Sequence, residues 1–174
     1  MFILKIMGSL MIIISSTLIG NNFGSKYSLR LKNIKGLINC IRLLESEILY
    51  LSNPLPEAFE NVYKKGGKNI SYIFRDIRRY LLENDDKNVL ESFKYIINKN
   101  KVKLSLTKDD IEILVSLGSI LGTSDKTDQQ KHIKVIIEQL KIQQRDAFER
   151  MKKNEALYKK LGILLGLALV IILF

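Results

Sequence analysis

The sequence has one cysteine, one histidine and two prolines, and almost no charge at either end. Cys40 alone excludes an intrachain disulfide framework, and Cys40 with His132 cannot furnish a four-ligand zinc site, so no metal site is expected. The thiol fits a reducing compartment, and its place between Leu37 and Ile41 marks it as a small core residue rather than a nucleophile. With only Pro54 and Pro56, and no sustained period-two alternation of apolar residues, helices are expected and a sheet is not.

Catalytic signatures are also missing. Gly66-Gly67-Lys68-Asn69 contains a Gly-Lys pair but lacks the earlier glycine and the following Ser or Thr of a phosphate-binding loop, so it reads as a turn. There is no nucleophile elbow, and His132 is a lone imidazole between Lys131 and Ile133. The paired carboxylates Asp85-Asp86 and Asp109-Asp110 each precede an apolar segment, where negative charge complements a helix dipole. No catalytic residue, cofactor-binding residue or cofactor is expected, and the chain reads as non-enzymatic.

What charge there is lies in the middle. All 18 acidic residues and 27 of the 28 basic ones fall between Lys26 and Lys160, a net charge of +9 that favours anionic lipid, nucleic acid or an acidic protein surface. The aromatics are not interleaved with the cations as a base-stacking platform requires, so nucleic acid is not expected as a partner.

The ends are apolar. Ile6 to Ser25 carries no charge and, as a helix, covers about 30 Å, the thickness of a bilayer's hydrocarbon core. A cleaved signal peptide is the competing reading, but the stretch before the run offers only Lys5, no small-x-small cleavage site stands out, and Lys26, Arg30, Lys32 and Lys35 follow at once. Leu161 to Phe174 is a continuous apolar run of about 21 Å, short of a full span unless Leu157, Tyr158 and snorkelling Lys159 and Lys160 extend it. Both runs have their basic flank toward the middle of the chain, which predicts a cytoplasmic middle section with both termini outside. The expected organisation is an N-terminal transmembrane anchor over 1–25, a cytoplasmic helical bundle over 26–160 and a C-terminal transmembrane segment over 161–174.

The middle reads as helices. Ile34, Leu37, Ile41, Leu44, Ile48 and Leu51 recur at steps of three and four, which predicts an amphipathic helix to about Tyr50. Asn53-Pro54-Leu55-Pro56 breaks it, and a second helix with Ala58, Phe59 and Val62 runs to Gly66-Gly67. A third is expected from about Ile70 with Ile73, Phe74, Ile77 and Leu81, and a fourth after Asp85-Asp86 with Val89, Phe93, Ile96 and Ile97. Thr107 to Asp110 is a variant capping box opening a fifth helix, with Leu114 and Leu117, that stops near Gly122. The last begins around Ser124 or Asp125 and has no breaker before Gly162, so it is expected to continue into the terminal run. The fold class is therefore all-α, a bundle of about six helices with a transmembrane helix at each end.

Glycines four apart occur at Gly118 and Gly122 and again at Gly162 and Gly166, a spacing that lets another backbone approach closely. Helix packing is expected at both pairs, with a homo-oligomer through the membrane copy as the further option.

The stretch Leu117-Gly118-x-x-Leu121-Gly122-x-x-Asp125-x-x-x-Gln129-x-Lys131-His132-Ile133, followed by Lys153-Asn154-Glu155-x-x-Tyr158-x-x-Leu161-Gly162, resembles the stage III sporulation protein AB family of endospore-forming bacteria. The resemblance extends to Leu44-Glu45-Ser46-Glu47-Ile48-x-Tyr50 and Pro54-Leu55-Pro56-Glu57-Ala58-Phe59, and is weakest from Lys64 to Lys103, where a basic cluster of Lys94, Lys99, Lys101 and Lys103 falls. That family is similar, in its helical domain, to the inner-membrane platform protein of type II secretion systems. The resemblance implies a subunit of the sporulation channel complex in the mother-cell membrane, facing the forespore and working with a partner secretion-type ATPase and other channel membrane subunits. Carried over by motif, it points to Asp125, Gln129, Lys131 and His132 as partner-binding residues; capping by Asp125 and hydrogen bonding or solvation of the others are the structural alternatives. The competing function is a membrane-tethered basic helical module that binds anionic lipid or nucleic acid.

Overall fold

The continuity of the two end helices follows from what does not interrupt them. In the computed structural model, which describes residues 2–84, 86–123 and 126–173, the N-terminal apolar run and the first amphipathic segment form one helix, α1 (Phe2–Leu49). No proline falls within it, and isolated glycines cost only about 1 kcal/mol each in a helix interior. Five further helices follow among the described residues, with no strand: α2 (Leu55–Lys65), α3 (Tyr72–Glu83), α4 (Val89–Leu104), α5 (Lys108–Thr123) and α6 (Lys126–Leu173). The expected all-α architecture is what forms, and the last helix does run on into the terminal apolar stretch.

The chain packs as two compact units, one of residues up to Leu31 together with those from Asp146 on, the other Lys32–Arg145. In the second, Ile34, Leu37, Cys40, Ile41 and Leu44 of α1 are buried, as their spacing requires. Leu51, which extends the same series on paper, lies beyond the helix end and is 56% exposed, because the turn before Pro54 has already redirected the backbone. Phe59 of α2 lies 6.2 Å from Phe74 of α3 and 5.9 Å from Phe93 of α4, ring centre to ring centre, and all three are buried. This aromatic cluster is the middle of the unit's core.

Turn chemistry fixes the entries and exits. Pro56 sits in the first turn of α2, and α2 ends where Gly66 donates its N–H to the Val62 carbonyl at 2.8 Å. A Cβ on Gly66 would lie 2.6 Å from that carbonyl oxygen and 3.0 Å from the Cys40 sulfur, so only glycine fits there. Asn88 caps α4, its side chain accepting from the Glu91 N–H at 2.9 Å; Asp86 is exposed and pairs with Lys87 at 3.2 Å, and Asp85 lies outside the described residues. The capping box of α5 is reciprocal: the Thr107 N–H donates to the Asp110 carboxylate at 2.9 Å and the Asp110 N–H to the Thr107 hydroxyl at 3.4 Å.

In the other unit, large apolar side chains face outward. Met11, Leu18 and Ile19 of α1 and Leu164, Ile171 and Ile172 of α6 are 59–80% exposed. Both helices are long and apolar enough to cross a membrane, and exposed apolar surface on this scale marks the unit as membrane-associated.

Candidate functional site

Three features carry chemistry beyond plain core packing. The first is the start of α6. Ile133, Ile136, Ile137 and Leu140 are buried on one face of the helix. Lys131 and His132 lie off that face and are exposed, Lys131 pairing with Asp128 at 3.7 Å. Gln129, four residues before Ile133, is half-buried at the start of the buried face. Lys131 and His132 are thus turned to solvent, while Asp125 lies outside the described residues. Gly118 packs against α4, where a Cβ would fall 2.7 Å from the Phe93 Cβ; Gly122 belongs to the same helix, and its surroundings lie outside the described residues.

The second feature is a buried carboxylate. Glu47 stands three residues after Leu44 on the core side of α1 and is 2% exposed. Its Oε2 accepts from the side-chain amides of Asn53 and Asn61, each at 2.7 Å, and its Oε1 from the Lys65 ammonium at 2.6 Å. The Asn53 N–H also donates to the Glu47 carbonyl at 3.0 Å. Lys65, with Asn61 and Asn53, holds the Glu47 carboxyl below its ordinary range against the burial that would raise it. The network ties the end of α1 to the proline turn and to α2, a positioning role rather than a catalytic one. Sequence reasoning does not single out Glu47 on physical grounds, although a charged residue in an apolar stripe is the available signal. Cys40 is fully buried, and burial pushes its thiol up to about 11, so it is unreactive in the folded state.

The third feature is the close approach of α1 and α6 in the membrane-associated unit. A Cβ on Gly20 would lie 2.7 Å from the Gly162 Cα, and one on Gly162 would lie 2.8 Å from the Ser16 carbonyl oxygen. A Cβ on Gly166 would stand 3.1 Å from the Ile13 Cα, and the Ser16 hydroxyl donates to the Gly162 carbonyl. Gly162 and Gly166 are therefore used within the chain, against α1. Gly20 is the counterpart of Gly162, and on Gly24, four residues further, a Cβ would lie 2.9 Å from the Glu155 carbonyl oxygen; sequence reasoning passes over both. Arg30, 6% exposed, donates to Asp146 at 2.8 Å, and Arg30 followed by Arg150 holds the Asp146 carboxyl below its ordinary range.

No group of three or more His, Cys, Asp or Glu side chains that could hold a metal ion occurs among the described residues. A family model described as stage III sporulation protein AB matches residues 5–174. Stage III sporulation protein AB of Bacillus subtilis (strain 168) is 32% identical over 170 residues, which are 98% of this chain and 99% of that one. A solved structure of stage III sporulation protein AB is similar with a TM-score of 0.64 at 28% identity, over 71% of this chain and 96% of its own. With the family model spanning nearly the whole sequence, and a relative and a solved fold agreeing with it, the chain belongs to the stage III sporulation protein AB family and has a role in sporulation.

Proposed function

We propose that the chain is a non-enzymatic platform subunit of the sporulation channel complex between mother cell and forespore, coupling a partner secretion-type ATPase to the membrane assembly. The observation that carries this reading is α6: one uninterrupted helix, Lys126–Leu173, bears the exposed Lys131 and His132 near its start and the apolar stretch at its end. No proline interrupts it, so the backbone hydrogen-bond ladder runs unbroken from the motif residues to the apolar stretch, as a coupling element requires. Asp125, Gln129, Lys131 and His132 are the ATPase-facing residues in this reading, and the other channel membrane subunits meet the membrane-associated unit. The charged middle section is cytoplasmic in the mother cell and both termini lie outside, following the excess of Lys and Arg at the inner flanks.

The test is purification of the detergent-solubilised chain from sporulating cells at moderate salt, with mass spectrometry of what stays bound. The expected result is recovery of an ATPase and other membrane subunits, and loss of the ATPase alone in the K131E/H132A variant with melting temperature unchanged. Retention of the ATPase by that variant would remove these residues from the interface. Recovery of lipid or nucleic acid only, lost as salt rises, would replace the platform reading with the basic-tether one.

A further inference from the structure

The exposed surface of α4 carries four lysines that the fold does not pair with carboxylates. Lys94, Lys99, Lys101 and Lys103 are all exposed, and among the described residues none of them has a carboxylate partner. Some cations of the same unit are matched, Lys64 with Glu60 at 3.4 Å, Lys65 with Glu47 at 2.6 Å and Lys108 with Glu112 at 3.7 Å, and others such as Lys32, Lys35 and Lys134 are not, among the described residues; α4 differs in carrying its four within one helix. Lys101 and Lys103 lie in the last turn, where positive charge complements the helix dipole. That account does not extend to Lys94 and Lys99, and the like-charged pair Lys99 and Lys103, one turn apart, is mildly destabilising to the helix.

Two of the four, Lys99 and Lys103, also stand against aromatic rings. Tyr80 of α3 stacks on Tyr95 of α4 with ring centres 4.5 Å apart, the Lys99 ammonium stands 5.9 Å from the Tyr95 centroid, and the Lys103 ammonium 4.5 Å from that of Tyr72. Ring contacts of this kind restrict a lysine side chain before any ligand arrives. Tyr80, Lys94, Asn98 and Lys99 line a groove of about 590 Å³, whose one acidic group, Glu91, faces Lys87 at 3.9 Å. Aromatics thus do sit among the cations here: Tyr95 neighbours Lys94 and Lys99 along α4, and the fold adds Tyr80 from α3.

We infer that this α3–α4 face is a docking surface for an acidic, carboxylate-bearing segment of a partner protein. Charge complementarity sets the sign. A nucleic acid would need open ring faces for its bases, and these rings are engaged with one another and with lysines. A bilayer surface is broad, and would leave a groove between two helices unfilled, whereas a peptide chain enters it. The surface is separate from Lys131 and His132, and the inference stands without the platform reading.

The experiment uses the full chain in neutral detergent micelles and a short fluorescein-labelled peptide of glutamate and leucine, read by fluorescence anisotropy at moderate salt. Lys94→Gln, Lys99→Gln, Lys101→Gln and Lys103→Gln together should weaken binding by about tenfold or more, while Lys32→Gln, Lys35→Gln, Lys134→Gln and Lys152→Gln, of equal charge change, should change it by less than about twofold. Lys94→Gln with Lys101→Gln, which touches no ring contact, keeps the comparison readable if the fourfold variant melts early. Equal weakening by both fourfold sets would reduce the effect to net charge and overturn the inference. So would unchanged peptide binding by the α4 variant, including the case in which that variant instead loses binding to anionic vesicles or to a single-stranded oligonucleotide.

Discussion

The two units hold their helices together by opposite means. Between Lys32 and Arg145 the helices are separated by large side chains, with Phe59, Phe74 and Phe93 meeting at the centre. In the membrane-associated unit α1 and α6 meet where side chains are missing, at Gly20 and Gly162. In water, burying apolar area is itself the driving force, so bulk stabilises. In lipid that force is absent, and close backbone contact with an interhelical hydrogen bond, here from the Ser16 hydroxyl to the Gly162 carbonyl, takes its place.

The contrast can be broken by changing one group at a time. Removing bulk from the aqueous core should have the largest effect: Phe74→Ala should lower unfolding free energy by about 3–5 kcal/mol in a denaturant titration of the solubilised chain. Adding bulk should be what harms the other unit. A Cβ on Gly162 would stand 2.9 Å from the Gly20 Cα, so Gly162→Ala should cost about 1–3 kcal/mol and speed amide hydrogen exchange along α1 residues 9–24. If Gly162→Ala were silent, the close-approach account of this unit would be wrong.

The Glu47 network sharpens the comparison with a polar core contact. Glu47→Gln should cost about 1–3 kcal/mol at neutral pH, less than loss of a fully buried ion pair, because the ammonium of Lys65 can turn to water. The Glu47 carboxyl is held below its ordinary value of 4.5, so its contribution is complete above that pH and is lost as pH falls through the lower, folded value. Melting temperature should therefore drop more steeply for the native chain than for Glu47→Gln as pH falls below about 4.5. Asp146, shifted in the same direction by Arg30, leaves a residual slope in both. The smallest effect belongs to Gly67, which has open space where a Cβ would go and no positive φ. Gly67→Ala should change stability by no more than about 0.5 kcal/mol.

Much of this was legible from residues alone, and the rest for identifiable reasons was not. Spacing of Ile34, Leu37, Ile41 and Leu44 reveals a buried face because helical periodicity is a local property. Thr107 and Asp110 reveal a cap because both partners lie within one turn. Glu47 could not be placed that way. Its partners Asn53, Asn61 and Lys65 lie across a turn and on another helix, and whether a carboxylate in an apolar stripe is satisfied depends on what folds over it. The cap of α4 falls on Asn88, two residues after Asp86, a choice among neighbouring capping residues that local composition leaves open.

The sequence by itself determined the helical class, the two apolar ends, the breaks at Pro54 and Gly66, the missing nucleotide and nucleophile motifs and the family signature, since each is written in local composition or spacing. Only the tertiary structure decided that Gly162 opposes Gly20, that Glu47 is satisfied in the core and that Tyr80 of α3 stacks on Tyr95 of α4 beside a groove lined by Lys94 and Lys99. Those are pairings between residues far apart in the chain, and their free energy depends on distances that no local pattern encodes.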